Sequence, residues 1–79
     1  MNEPAKLYQV FAQALGLEAS QISDELTYNS IPAWDSTAHM ILVAELENAF
    51  GVMLDTDDII DMSSVAKARQ ILSKYHVEA

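Results

Sequence analysis

The pair Asp35-Ser36 has the clearest chemical use in this sequence. Residues 36–50 contain no glycine or proline and are followed by Gly51, so they predict a helix that begins at Ser36. Asp35 then occupies the N-cap, where its carboxylate accepts hydrogen bonds from unpaired backbone N–H groups. The Ser36 hydroxyl lies in the first turn, at the positive end of the helix dipole, where an anion is favoured. A serine in this place is suited to carry a phosphodiester.

A hydrolase would use the same serine differently, with His39 as the base and Asp35 as the third member of a triad. On one helix, however, the side chains of Ser36 and His39 diverge by about 60° around the axis. The sequence around Ser36 also lacks a nucleophile-elbow pattern and any feature that would supply an oxyanion hole. We therefore predict that the protein is not an enzyme.

A dedicated metal site is not indicated either. An EF-hand starting at Asp55 would need glycine at its sixth position and glutamate at its twelfth, and these places hold Ile60 and Ala66. The two histidines, His39 and His76, fall on different predicted helices, and no cysteine accompanies them. We predict no resident metal ion.

Several features at matching spacing make the chain resemble an acyl carrier protein. They are the Asp35-Ser36 pair, the apolar helix that ends at Phe50-Gly51, the acidic stretch at 55–61 and the helix start at Ser63-Ser64-Val65. The resemblance covers nearly the whole chain. It departs at Thr37, where that family usually has leucine, and this puts the standard docking contacts in doubt.

The resemblance implies a cofactor and a set of partners. Ser36 would carry a 4'-phosphopantetheine arm, transferred from coenzyme A by a separate magnesium-dependent phosphopantetheinyl transferase. The thiol of the arm would hold acyl groups as thioesters and present them to acyl-loading and acyl-processing enzymes. Because the chain contains no cysteine, the arm would supply the thiol that the protein lacks.

The pathway stays open at this point. A specialised acyl pathway, polyketide or other secondary metabolism, is our preferred interpretation. The alternatives are a housekeeping fatty acid carrier, a peptidyl or aminoacyl carrier, and an unmodified acidic helical adaptor. Peptidyl carriers usually have glycines just before the serine and are less acidic, whereas this chain has Ala33-Trp34 there.

The charge distribution restricts the partners further. The formal net charge is −8, and no lysine or arginine occurs between Lys6 and Lys67. Such a field repels nucleic acid and anionic membranes and attracts basic protein surfaces. No signal peptide or membrane-spanning run is visible. We expect residues 1–79 to form one free-standing, monomeric, cytoplasmic carrier domain whose partners dock through basic or partly apolar patches.

The pattern of apolar residues predicts an all-α, four-helix bundle with three longer helices and a short third one. Asn2 would cap the first helix, with Pro4 in its first turn and Gly16 as its stop. The last helix would start at Ser63 or Ser64, and Lys74 near its end suits the helix dipole. The other predicted helices are residues 3–15, 36–50 and roughly 57–61.

Residues 17–35 predict a long connection that delivers Ser36 to the surface. Its spaced apolar anchors are Leu17, Ile22, Leu26 and Ile31. We expect Trp34 to plug the top of the bundle rather than to contact a partner.

Each predicted helix has an apolar stripe that should face the core. The stripes are Leu7, Val10, Phe11, Ala14 and Leu15; His39, Leu42, Val43, Leu46, Ala49 and Phe50; Ile59, Ile60 and Met62; and Val65, Ala68, Ile71, Leu72 and Tyr75.

The opposite face of the second helix has two equally good interpretations. It is either a surface that binds partner enzymes or a surface that the long connection covers. Its candidate residues are Thr37, Met40, Ile41, Ala44 and Glu47. A pocket for the acyl cargo is predicted between the second and third helices. Its candidate lining is Leu46, Phe50, Leu54, Ile59 and Met62.

Overall fold

Four α-helices are present in the computed structural model, which describes residues 6–75. They are α1 (Lys6–Leu15), α2 (Ser36–Phe50), α3 (Thr56–Asp61) and α4 (Val65–Lys74), and a 3-10 turn at Ala19–Gln21 interrupts the long connection after α1. The prediction of an all-α bundle with a short third helix is confirmed. α1 packs directly against α2, so the two helices on either side of the long connection form the centre of the bundle.

Gly16 and Gly51 end α1 and α2, as the sequence predicted. Gly16 and Gly51 have φ angles of 70° and 66°, a left-handed conformation that residues with a Cβ adopt only with strain. The Gly51 N–H donates to the carbonyl of Glu47. The chain therefore reverses direction at both points while satisfying the last carbonyls of the helix.

Side chains cap two helices at their starts. Asp35 caps α2, and the Ser64 hydroxyl accepts from the Lys67 N–H at 3.0 Å, which selects Ser64 of the two predicted caps of α4. Asp55 holds the N-cap position of α3 but makes no capping hydrogen bond. The predicted cap Asn2 and the first-turn Pro4 lie outside the described residues.

Most residues of the predicted apolar stripes are buried in the core, and Trp34 lies at its centre. Trp34 and Phe11 are both fully buried, and their rings meet edge to face at 5.3 Å. Trp34 is therefore a core residue, as predicted. The buried apolar residues on the helices are Leu7, Val10, Phe11, Ala12, Leu15, Leu42, Val43, Leu46, Val65, Ala68, Ile71 and Leu72.

The long connection is pinned to the junction between α3 and α4. Thr27 forms an antiparallel bridge with Ser64, and the Tyr28 N–H donates to the Ser63 carbonyl at 2.9 Å. The Asn29 N–H donates to the Trp34 carbonyl at 2.9 Å, which closes the loop just before Asp35. Of the predicted anchors, Ile22 is buried and the other three pack against the core. These bonds hold the start of α2 in place.

The four basic residues of the chain are all engaged within it. Lys67 pairs with Asp61 at 3.3 Å, and Arg69 bonds Asp24. Together with the Tyr8 hydroxyl, the Arg69 guanidinium lowers the pKa of the Asp24 carboxyl. Lys6 donates to the last turn of α2, at the Ala49 carbonyl, and lies over the Phe50 ring. Within residues 6–75, the acidic residues that form ion pairs with these cations are therefore Asp24, Asp58 and Asp61.

The inward face of α3 differs from the prediction. Ile60 was expected to be buried and is 75% exposed, whereas the carboxylate-bearing Asp58 is 6% exposed. Asp58 and Met62 lie one turn apart and both point inward, because Asp58 finds two donors there: the Lys74 ammonium and the Tyr75 hydroxyl. Lys74 thus holds α3 to the end of α4 rather than acting only on the helix dipole.

Replacing Asp58 with asparagine should destabilise the bundle in a pH-dependent manner. The bonds from Lys74 and Tyr75 hold the pKa of the Asp58 carboxyl below its ordinary value. Their stabilisation is therefore fully present above the unfolded carboxyl pKa of about 3.9 and is lost as pH falls through the lowered folded pKa. We expect Asp58→Asn to melt well below wild type at neutral pH, with the gap shrinking below about pH 4.

Thermal unfolding followed by circular dichroism measures this gap. Asp57→Asn is the matched control, because it removes the same charge from an exposed neighbour on the same helix. A gap between wild type and Asp58→Asn that is independent of pH, or an equal loss in the control, would contradict the proposed role of the ion pair.

Candidate functional site

Ser36 is the first residue of α2 and its side chain is exposed. One turn of the helix is organised by Asp35, whose Oδ1 accepts from the Ala38 N–H at 2.9 Å and whose carbonyl accepts from the His39 N–H at 2.8 Å. The Ser36 hydroxyl thus lies at the positive end of a fifteen-residue helix, where a phosphodiester is electrostatically favoured.

A cavity of about 350 Å³ opens beside Ser36, between α2 and α3. Most of its surface is apolar, and the loop residue Tyr28 closes one side of it. The lining residues are Tyr28, Ser36, His39, Met40, Ile59, Ile60, Met62 and Ser63. A chain attached at Ser36 would therefore meet an apolar cavity at its point of attachment.

Two of the five predicted pocket residues, Ile59 and Met62, line this cavity, and three do not. Leu46 and Leu54 are buried in the core, and Phe50 is half-buried near Lys6. The reason is distance along the helix. With a rise of about 1.5 Å per residue, Leu46 and Phe50 lie roughly 15 and 21 Å from Ser36 along α2, whereas the cavity lies at the N-terminal end.

Besides Ser36, five cavity residues were not predicted as pocket lining: Tyr28, His39, Met40, Ile60 and Ser63. Tyr28 and Ser63 are brought together by the backbone bond between the loop and the α3–α4 junction. No local sequence pattern predicts a pairing between segments so far apart in the chain. The helical register could have shown that Ile60 does not face the core, since Asp58 and Met62 occupy the inward positions at α3.

His39 is bonded on both sides of its ring. Nδ1 accepts from the Trp34 indole N–H at 3.0 Å, and Nε2 lies 2.9 Å from the Ile59 carbonyl of α3. An indole nitrogen can only donate, so Nδ1 is unprotonated and Nε2 carries the hydrogen that it donates to Ile59. His39 therefore joins three segments and, among the described residues, makes no hydrogen bond to Ser36.

The outward face of α2 is open to solvent and not covered by the loop. Met40 and Ile41 are 60% and 49% exposed, and Thr37 and Ala44 are also exposed. Glu47 differs from these four, because its Oε2 accepts from the Leu54 N–H at 2.9 Å and the residue is half-buried. It therefore holds the loop after α2.

Residues 6–75 contain no cluster of three or more side chains suited to hold a metal ion. No helix within this range is long and apolar enough to cross a bilayer. In the acidic stretch of α3, Asp58 and Asp61 form ion pairs with Lys74 and Lys67 of α4.

A comparison with family models identifies the chain. Residues 5–71 match the model described as the phosphopantetheine attachment site. The match spans all four helices except the end of α4. The chain belongs to this family of carrier domains. Members carry a covalent 4'-phosphopantetheine group and are carriers, not catalysts. They work with a phosphopantetheinyl transferase and with acyl-processing enzymes.

The carrier domain offers residues that fit this group. The Ser36 hydroxyl is exposed and has an open cavity beside it, and the helix dipole favours the negative charge of a phosphodiester. The arm brings a thiol to a chain that has no cysteine, and the thiol is the group that forms a thioester with an acyl cargo.

Proposed function

We propose that Ser36 is the attachment residue of the carrier and that Asp35 positions it. The observation that supports this is an exposed serine hydroxyl in the first turn of α2, directly after a carboxylate that caps the helix. The transferase must bring the phosphate of coenzyme A to the oxygen that attacks it. An exposed hydroxyl at a rigid helix start allows this approach without unfolding.

Intact-protein mass spectrometry tests the attachment. The purified chain is incubated with coenzyme A, magnesium and a broad-specificity phosphopantetheinyl transferase, and we expect the mass to rise by one arm. Trypsin is unsuitable for mapping, because no lysine or arginine occurs between Lys6 and Lys67. Cleavage after acidic residues should place the added mass on the segment that starts at Ser36. No mass gain would overturn the proposal.

We further propose that the cavity beside Ser36 receives the first part of the acyl cargo. Its apolar lining supports this, since each methylene removed from water stabilises the loaded form by at most about 0.8 kcal/mol. We expect an octanoyl-loaded carrier to melt at a higher temperature than the form with the arm alone.

Methionine methyl NMR checks the location of the cargo. Met40 and Met62 line the cavity, whereas Met53 is 82% exposed on the loop after α2 and is the internal control. Loading should shift the first two signals and leave Met53 unchanged. An unchanged melting temperature together with unshifted Met40 and Met62 signals would mean that the cargo stays in solvent.

The exposed face of α2 supports docking to enzymes through a partly apolar surface. Thr37, Met40, Ile41 and Ala44 are exposed there, and Glu47 is engaged by the loop backbone. Charge would then serve mainly to steer basic partners towards the acidic domain. This face supports a specialised acyl pathway, polyketide or other secondary metabolism, over a housekeeping fatty acid carrier. Loading assays with fatty acyl, polyketide and aminoacyl donors distinguish these pathways and the peptidyl alternative.

Glutamate substitutions at Met40 and Ile41 should each weaken binding to the cognate acyl-loading enzyme by at least about tenfold. Burying one such side chain contributes roughly 1.5–3 kcal/mol, and about 1.4 kcal/mol corresponds to a factor of ten in affinity. Gln13→Glu is the control, because it adds the same charge at an exposed position on α1. Wild-type binding by both glutamate variants, or complete loss of wild-type binding on raising salt alone, would contradict apolar docking.

A further inference from the structure

His39 joins the segment before α2, α2 itself and α3. Its ring lies nearly parallel to the Trp34 indole, with centroids 6.1 Å apart and an interplanar angle of 20°. It meets the Tyr28 ring edge to face, with centroids 5.3 Å apart. The two ring nitrogens bond the Trp34 indole and the Ile59 carbonyl. His39 and Ile59 both line the cavity beside Ser36, so this contact forms part of the cavity wall.

We propose that neutral His39 is a positioning residue that holds α3 against α2 beside Ser36, and that protonation of its ring releases this contact. The inference goes beyond attachment at Ser36, because it concerns the protein without its arm. It assigns to one side chain the control of how firmly the cavity is closed.

Protonation conflicts with the observed hydrogen bonds. A charged imidazole donates from both nitrogens, so Nδ1–H would face the Trp34 N–H, donor against donor. Trp34 is fully buried and has no alternative acceptor shown for its indole. One of the two rings must then move. Because the position of the His39 ring also sets the bond from Nε2 to Ile59, the link to α3 is disturbed together with the link to Trp34.

The other polar side-chain contacts of α3 lead to a different helix. Asp58 bonds Lys74 and Tyr75, and Asp61 pairs with Lys67, all on or at the end of α4. Among the described residues, the bond from His39 is the side-chain hydrogen bond from α2 to α3. Its loss would leave α3 bonded to α4, while its position against α2 would depend on the apolar packing of Ile59 and Met62. We expect this to widen the cavity at Ser36.

The carboxylates of the elements around His39 are engaged elsewhere or exposed. Tyr28 is the titratable group that faces it from the loop. Directly before its own helix, the carboxylate of Asp35 accepts from the Ala38 N–H. On α3, Asp58 and Asp61 are paired with lysines, and Asp55 and Asp57 are exposed. No carboxylate lines the cavity.

NMR of the unmodified Ser36→Ala protein tests the proposal independently of arm attachment. The chain has a single tryptophan, so one indole N–H signal reports on the bond to His39, and the Ile59 and Met62 signals report on α3. A His76→Gln background leaves His39 as the one histidine of the chain, so the nitrogen-15 signals of an imidazole report on this ring alone. Nitrogen-15 spectra of the ring identify its tautomer at each pH.

We expect the Nε2–H tautomer at neutral pH and a shift of the Trp34, Ile59 and Met62 signals with the midpoint of the His39 ring. Protection of the indole N–H should fall at least about fivefold, because an unmade buried hydrogen bond is costly. Signals that stay constant while the ring titrates would overturn the proposal. Movement of the Ile59 and Met62 signals while the ring nitrogens still show the neutral tautomer would also overturn it.

Three substitutions separate the two bonds. His39→Asn keeps an acceptor near the position of Nδ1 without titrating, so the indole signal should not depend on pH. His39→Gln keeps a donor near the position of Nε2, so the Ile59 signal should stay close to its neutral-pH value in acid. His39→Leu keeps neither and should resemble the acid form at every pH. The same pH transition in His39→Asn as in the parent protein would contradict the role of the ring.

Discussion

Ser36→Ala is expected to abolish attachment of the phosphopantetheine arm completely. The transfer forms a bond from a hydroxyl oxygen to phosphorus, and alanine has no such oxygen. Thr37 lies next to Ser36, but one residue on a helix rotates a side chain by about 100° and so moves its hydroxyl away from the position that the transferase meets. Intact mass after incubation with coenzyme A and transferase should therefore show no gain.

Ser63→Ala is the matched control for this loss. Ser63 is a second exposed serine at the same cavity, and its replacement should leave loading unchanged. Circular dichroism of Ser36→Ala should match that of wild type, because an exposed first-turn hydroxyl makes no core contact. An arm found on Ser36→Ala, or loading lost in Ser63→Ala with the fold intact, would show that Ser36 is not the sole attachment site.

Trp34→Ala should cause the largest loss of stability of any single substitution considered for this chain. Replacing a buried tryptophan by alanine typically costs about 3–5 kcal/mol, and small domains are stable by only about 5–15 kcal/mol. Here the indole is fully buried, and its ring centroid lies 5.3 Å from that of Phe11. Its N–H donates to His39 Nδ1. The variant should be partly unfolded at physiological temperature, and it should lose the rigid start of α2.

Urea unfolding followed by far-UV circular dichroism measures this loss, because the variant has no tryptophan fluorescence. Trp34→Phe should lose less, since it keeps a ring beside Phe11 and removes the indole donor. Tyr28→Ala is the control, because that aromatic residue touches the same indole but is 39% exposed. A loss at Trp34→Ala no larger than at Tyr28→Ala would mean that Trp34 is not the central core residue of the bundle.

The stops and caps of the helices and the location of the serine could be predicted because their causes are local. Asp35 caps α2 through the N–H of a residue three positions away, and Gly51 ends it by taking a left-handed conformation. Both effects act within one turn of chain. The same holds for Gly16 and Ser64. Asp35-Ser36 at a helix start was therefore readable from the sequence.

The details of the cavity could not be predicted, because they depend on distant segments. Tyr28 reaches the cavity only because the loop pairs with the α3–α4 junction at Ser63 and Ser64. Apolar character predicts Leu46 and Phe50 as cavity lining, but both lie several turns along α2 from Ser36. Residue type identified a core-facing side chain but did not tell which part of the core it faces.

The face of α3 shows the same limit. Apolar character predicted Ile60 to be buried, yet Asp58 takes the inward position because Lys74 and Tyr75 meet it from α4. His39 was placed near the core by its spacing, while its two bonding partners, Trp34 and Ile59, were determined by the packing of three segments. The sequence by itself determined the helices and the serine at the start of α2, because hydrogen bonds and caps act over a few residues. Only the tertiary structure decided what surrounds that serine, because a side chain far along the chain becomes a neighbour only when the bundle closes.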